Sequence, residues 1–384
     1  MRGVGWGVFV LGLLSKPSVV VLPVLLVLVG GYVDGEKKWG FGFLVGQVRR
    51  WWGWFLVAGA VGGVTVMAQA GGSHEYFMKE SSTVGRVLVM GAGFWFYWVR
   101  ILWPWNLTFE YPLPEGGVKV FVAGWAELVT VLGWVWWKRG EWRLGFLALG
   151  WFVVCWLPAS GLVYVGTSFT ADRYAYLALA GPLFLLVRWM GMVRWRRGLG
   201  VVLGCVWAGL SWDQVGVWRD GWSLFEHTTQ VQPRAAIGWV NLGGMYQEES
   251  RWEEAERCYR KAVELNEKDY VGWYNLGNVR KALGRKAEAG EAYGKSLASY
   301  PDYSPALLNW GLLKREAGEV EAARDLFRRG GEGDVRLMWL WCESELRLGN
   351  LEEGREILAR LEGRGVRNEQ VRAEMGRARA FLDG

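Results

Sequence analysis

Residues 238–301 read GWVNLGGMYQEESRWEEAERCYRKAVELNEKDYVGWYNLGNVRKALGRKAEAGEAYGKSLASYP and contain one pattern twice. Trp239, Leu242, Gly243, Ala255 and Tyr259 return thirty-four residues later as Trp273, Leu276, Gly277, Ala289 and Tyr293. Tyr246 and Ala262 belong to the first copy, and Pro301 closes the second. A weaker third copy holds Leu307, Trp310, Gly311, Ala323 and Phe327. A fourth, with Met338, Trp341, Gly349, Gly354 and Leu358, follows a turn about three residues shorter. Each copy reads as two antiparallel helices, with small residues where the helices cross closely and aromatics filling the gaps between units. One such hairpin cannot bury its own apolar face, so three or more must stack into a superhelix. The chain is therefore expected to be all-α, ending in an α-solenoid.

The spacing resembles the tetratricopeptide repeat. About four repeats are expected over 236–367, a capping helix over 368–384, and a linker or degenerate half-repeat over 218–235. Tyr246, Tyr259, Trp273 and Tyr293 suit packing between units. Asn241, Asn275 and Asn309 recur at one phase of the first helix of each unit, a phase that faces the groove. An amide that both donates and accepts is what an extended peptide backbone requires. A protein or peptide in the groove is the expected partner.

Before about residue 215 the sequence changes character and becomes a series of long apolar runs. A bilayer crossing takes roughly 20 mostly apolar residues. Spans are expected near 2–14, 17–31, 51–70, 118–137, 144–165, 174–193 and 199–217, so that 1–217 forms a polytopic membrane domain. Three loops are basic: 32–50, 138–143 and 188–198. All three face the cytoplasm if 84–103, with Trp95, Tyr97 and Trp98, lies in the interface or re-enters. The chain then leaves the last span on the periplasmic or lumenal side and carries the repeats there. The first span is short, which predicts a chain that begins part-way into a longer protein.

The formal charge of +6 sits largely in those loops and calls for no nucleic acid. Two His and four scattered Cys (Cys155, Cys205, Cys258, Cys342) form no metal-ligand spacing, so neither a metal nor a cofactor is expected. Glu127 lies inside a span, where an ionisable group costs about 2.5–3.5 kcal/mol unless neutral or paired.

Under this topology several short motifs share the outer face. They are Ser15-Lys16-Pro17, Trp103-Pro104-Trp105-Asn106 with Tyr111-Pro112, and Ala171-Asp172-Arg173-Tyr174-Ala175-Tyr176. In order, LLSKPSVVVLPVLL, WPWNLTFEYP, TADRYAYLALAG and VWRDGWSLFEH resemble the polytopic GT-C glycosyltransferases that end in tetratricopeptide repeats. The layout is similar to that of the transmembrane O-mannosyltransferases. The resemblance implies sugar transfer from a polyprenyl-phosphate donor to a protein, with Lys16 and Arg173 contacting donor phosphate and the repeats presenting the acceptor. That family keeps its catalytic acidic residue in a large outer loop near the N-terminus. No such loop exists here, and Glu75, Glu80, Glu110, Glu115 and Asp172 match no catalytic position, so the catalytic residue is unknown. The alternative is a non-catalytic, membrane-anchored scaffold that binds a peptide or protein through its repeats.

Overall fold

In a computed structural model the described residues are 20–33, 41–70, 87, 90–91, 93–94, 96–97, 107–108, 111, 118–138, 142–157, 160, 176–192, 194–364, 366 and 369–383. Among them are sixteen helices and no strand. The chain divides into two compact units, Met1–Gln232 and Pro233–Gly384.

The first unit holds α1 (Leu22–Val33), α2 (Phe41–Ala70), α3 (Val118–Trp137), α4 (Arg143–Trp156), α5 (Tyr176–Gly191), α6 (Arg194–Val217) and α7 (Gly221–Val231). Its core gathers Val21, Leu25, Met90, Phe94, Tyr97, Leu128, Phe152 and Trp156. Phe94 meets Phe152 and Trp156 edge to face at 5.9 and 5.7 Å between centroids, the arrangement that ring quadrupoles favour. Tyr97 is only 2% exposed, so this part of the 84–103 segment packs inward; Trp95 and Trp98 lie outside the described residues. α4 and α5 approach so closely at Gly181 that a Cβ there would stand 2.2 Å from the Ala148 carbonyl oxygen.

Among the helix boundaries that differ from the expected spans, two fall at arginines. α2 runs ten residues further toward the N-terminus than 51–70 and takes Arg49 and Arg50 into its first half. α6 begins at Arg194 rather than 199. In both cases Arg, a good helix former, continues the helix through sequence that hydropathy alone would end. One described helix segment, Gly198–Val217, is long and apolar enough to cross a membrane.

The second unit is a stack of hairpins: α8 (Ala236–Glu248) with α9 (Trp252–Leu265), α10 (Tyr270–Ala282) with α11 (Lys286–Ser299), α12 (Ser304–Glu316) with α13 (Val320–Gly331), and α14 (Val335–Arg347) with α15 (Leu351–Gly363). α16 (Glu369–Asp383) covers the end by burying Val371 and Met375, and Glu374 accepts a 2.8 Å hydrogen bond from Trp339 Nε1. The turn inside each hairpin passes through the left-handed region at Ser250, Gly284, Gly318 and Gly349, with φ of 58°, 78°, 81° and 82°. Glycine takes that conformation without strain, whereas Ser250 has a Cβ to accommodate. Asp269 and Asp334 cap α10 and α14 by accepting from the second and third backbone N–H groups beyond them.

Packing within the hairpins follows one rule with one variation. Gly243, Gly277 and Gly311 lie under the rings of Tyr259, Tyr293 and Phe327, where an added Cβ would fall 3.0, 2.5 and 2.3 Å from a ring carbon. In the fourth hairpin the same two places hold Cys342 and Leu358, both buried. The Cys342 thiol donates to the Gly354 carbonyl at 3.3 Å, a contact the glycines of the other hairpins cannot make. Between the first two units, buried Glu256 accepts from Arg280 at 3.3 Å and Arg285 at 3.0 Å.

Candidate functional site

The first helices of the hairpins carry the row of asparagines. Asn241 on α8 and Asn275 on α10 are half-buried and their side chains make no hydrogen bond among the described residues. Asn309 on α12 is half-buried too, but its amide is engaged. Its Nδ2 donates to Asn278 Oδ1 at 2.8 Å and to Tyr274 Oη at 3.3 Å. Tyr293 Oη also donates to Asn278 Oδ1, at 2.8 Å. Burial pushes the Tyr293 hydroxyl well above its ordinary pKa, so it stays protonated and serves as the donor.

The network leaves one donor and one acceptor unspent. An amide oxygen has two lone pairs and an amide nitrogen two hydrogens. Asn278 Oδ1 uses both lone pairs, and Asn309 Nδ2 uses both hydrogens. Asn278 Nδ2 and Asn309 Oδ1 remain, a donor and an acceptor on neighbouring helices with their orientations fixed by the other bonds. Together with Asn241 and Asn275 they make a neutral row able to pair with peptide N–H and C=O groups.

Asn278 was not singled out by the repeat phase, because the equivalent place in the first hairpin is Gly244. There the Tyr259 hydroxyl reaches Gln247 instead, at 3.3 Å. Asn278 stands one turn beyond Asn275, a spacing that keeps both on one helix face. In the fourth hairpin the row ends at Leu340, which is buried. Beyond it the first helices carry charge: Arg315 Nη1 meets Glu343 at 2.7 Å, and Arg347 meets the same carboxylate at 2.7 Å.

A crevice of about 590 Å³ opens between α11 and α12. Its floor is the Trp310 indole, seated over Gly290 and Gly294. Its rim is closed on itself by Lys286–Glu316 and Lys314–Glu319 ion pairs at 3.0 and 2.6 Å. No group of three or more His, Cys, Asp or Glu side chains able to hold a metal ion occurs among the described residues. Ser15, Lys16, Pro17, Asp172, Arg173 and Tyr174 all lie outside the described residues.

Comparison with known proteins bears on the second unit. Two tetratricopeptide repeat models match residues 236–269 and 271–303. The chain thus contains tetratricopeptide repeats. Among solved structures it is similar to YrrB, a TPR protein with an unusual peptide-binding site, at 18% identity and a TM-score of 0.37, over 41% of this chain and 84% of that one. It is also similar to TTC0263, a thermophilic TPR protein in Thermus thermophilus, at 18% identity and a TM-score of 0.33, over 44% and 95% of the two chains. A third is the first TPR of Spaghetti (RPAP3) bound to the HSP90 peptide SRMEEVD, at 19% identity and a TM-score of 0.28, over 30% and 95%. No curated protein matches the chain.

Proposed function

We propose that this protein is a scaffold whose repeats hold an extended peptide segment of a protein partner, with the first unit as its membrane anchor. The observation that carries the reading is the amide row: Asn241 and Asn275 without a hydrogen-bond partner among the described residues, and Asn278 Nδ2 and Asn309 Oδ1 left unspent by a network that orients those two amides. Asn278 and Asn309, held in one orientation, lose little freedom on binding, which raises affinity for a backbone that presents alternating donors and acceptors, and Asn241 and Asn275 extend the row. The row is neutral, so recognition falls on the backbone, and side-chain preference falls to the apolar and aromatic residues beside it. The exposed apolar helices of the first unit support the anchor. Sugar transfer from a polyprenyl-phosphate donor rests on the order of the sequence motifs alone, and its contact residues Lys16 and Arg173 lie outside the described residues.

A random peptide library displayed against the full-length chain in lipid nanodiscs tests the scaffold. At least one extended peptide should be enriched. The double variant Asn241→Ala with Asn275→Ala should bind that peptide roughly tenfold to thirtyfold more weakly, two hydrogen bonds of about 1 kcal/mol each. An unenriched library, or equal affinity in the double variant, rejects the groove assignment.

A further inference from the structure

We infer that α6 crosses a lipid bilayer once, its arginine-rich start on the cytoplasmic side and its Trp212–Val217 end on the opposite side. The inference deepens the anchor reading and is independent of what the groove binds.

No residue from Gly198 to Val217 is buried within the protein. Leu199, Val201, Val202, Val206 and Val215 are all exposed. These positions spread over more than half the circumference of a helix of 3.6 residues per turn, while Leu203, Trp207, Leu210, Gln214 and Val217, three and four residues apart, form one half-covered stripe. The half-covered stripe faces protein, where Gln214 Nε2 donates to the Leu107 carbonyl at 2.9 Å; the wider apolar arc left bare calls for an apolar solvent. On the bare arc an added Cβ at Gly204 or Gly209 would meet nothing within 4 Å, whereas at Gly200 it would stand 2.7 Å from Met190 Sδ of α5.

The dimensions fit the hydrocarbon core. Twenty residues from Gly198 to Val217 rise about 30 Å, the thickness of that core. Trp195 and Trp212 are 64% and 81% exposed and stand about 26 Å apart along the axis. Such amphipathic rings belong at the two membrane interfaces. The flanks differ in charge. Arg188, Arg194, Arg196 and Arg197 precede the span, whereas Asp213, Arg219, Asp220 and Glu226 close and follow it. Basic residues next to a span stay on the cytoplasmic side, so the chain beyond Val217 emerges on the other. A peptide that reaches the groove must then be extracytoplasmic.

The protein carries its own probe. Cys205 is exposed near the middle of α6, while Cys155, Cys258 and Cys342 are buried. Burial pushes the Cys258 and Cys342 thiols up to about 11 and about 12, which leaves them unreactive in the folded repeats. The full chain should be expressed in bacterial membranes and treated with a charged maleimide on both faces, with labelling read at each cysteine by mass spectrometry. Cys205 should label at least tenfold more after detergent solubilisation than before. In a Cys205→Ser background, Arg219→Cys should label in intact cells and Arg188→Cys only after the cells are opened. Equal labelling of Cys205 with and without detergent overturns the span, and the reverse pattern for the two arginine positions overturns its direction. Alkaline extraction separates the two readings: chain retained in the pellet with Cys205 reactive removes α6 alone, whereas chain released to the supernatant removes the whole anchor.

Discussion

The two units answer the same question, where to put apolar surface, in opposite ways. In the second unit Leu351 and Phe381 are the large apolar side chains left exposed; in the first the exposed set runs from Val24 to Trp218 among the described residues. The repeats bury a ring over a glycine in one hairpin after another, and Tyr293, Phe327 and Leu307 are wholly inside. The first unit builds a small core around Phe94, Phe152 and Trp156 and leaves much of the remaining helix surface uncovered. Water makes the first arrangement stable and the second costly, at about 25 cal/mol per Å² of apolar surface left wet. Similar helices thus differ widely in how much apolar surface they leave exposed.

The largest effect that sharpens this contrast lies in the repeats. Phe327→Ala should cost about 3–5 kcal/mol of stability, since the ring is fully buried and its glycine partner cannot move in to fill the void. Chemical denaturation of the second unit, followed by far-UV circular dichroism, reads it directly. A loss under 1 kcal/mol would mean the hairpins can collapse onto the cavity.

A matched pair of surface changes comes next. Val206→Arg, near the middle of α6, should cost about 2.5–3.5 kcal/mol of membrane insertion. Leu351→Arg on α15, also an exposed apolar site, should change folding stability by no more than about 0.5 kcal/mol. The fraction of each variant recovered in alkali-washed membranes, beside its denaturation midpoint, checks both. Equal tolerance at the two sites would erase the proposed difference in solvent.

The smallest change concerns the one hairpin turn without glycine. Ser250→Gly should stabilise the first repeat by about 0.5–1 kcal/mol, because φ of 58° strains a residue with a Cβ. Hydrogen exchange in α8 and α9 should slow correspondingly. Unchanged exchange would place the strain elsewhere in the turn.

Much of the second unit is legible in the sequence. The thirty-four-residue return of Trp239 as Trp273, and of Gly243 as Gly277, set the hairpin type, and the left-handed turns fall at the same interval at Ser250, Gly284 and Gly318. The candidate site was legible only in part. Asn241, Asn275 and Asn309 share a phase, but phase cannot tell a free amide from an engaged one. Asn309 turned out to be held by Asn278 and Tyr274, residues on the preceding hairpin. Asn278 went unnoticed because no repeat partner marks it, Gly244 standing in its place.

By itself, then, the sequence determined helix type, repeat length and the division into an apolar half and a charged half, since these follow from local periodicity and composition, which neighbouring residues carry along the chain. Tertiary structure alone decided which amides are engaged, that the Cys342 thiol meets the Gly354 carbonyl, and that α6 leaves a wide apolar arc uncovered. Each of those depends on groups far apart in sequence meeting, or failing to meet, within a few ångströms, and no local pattern encodes such a distance.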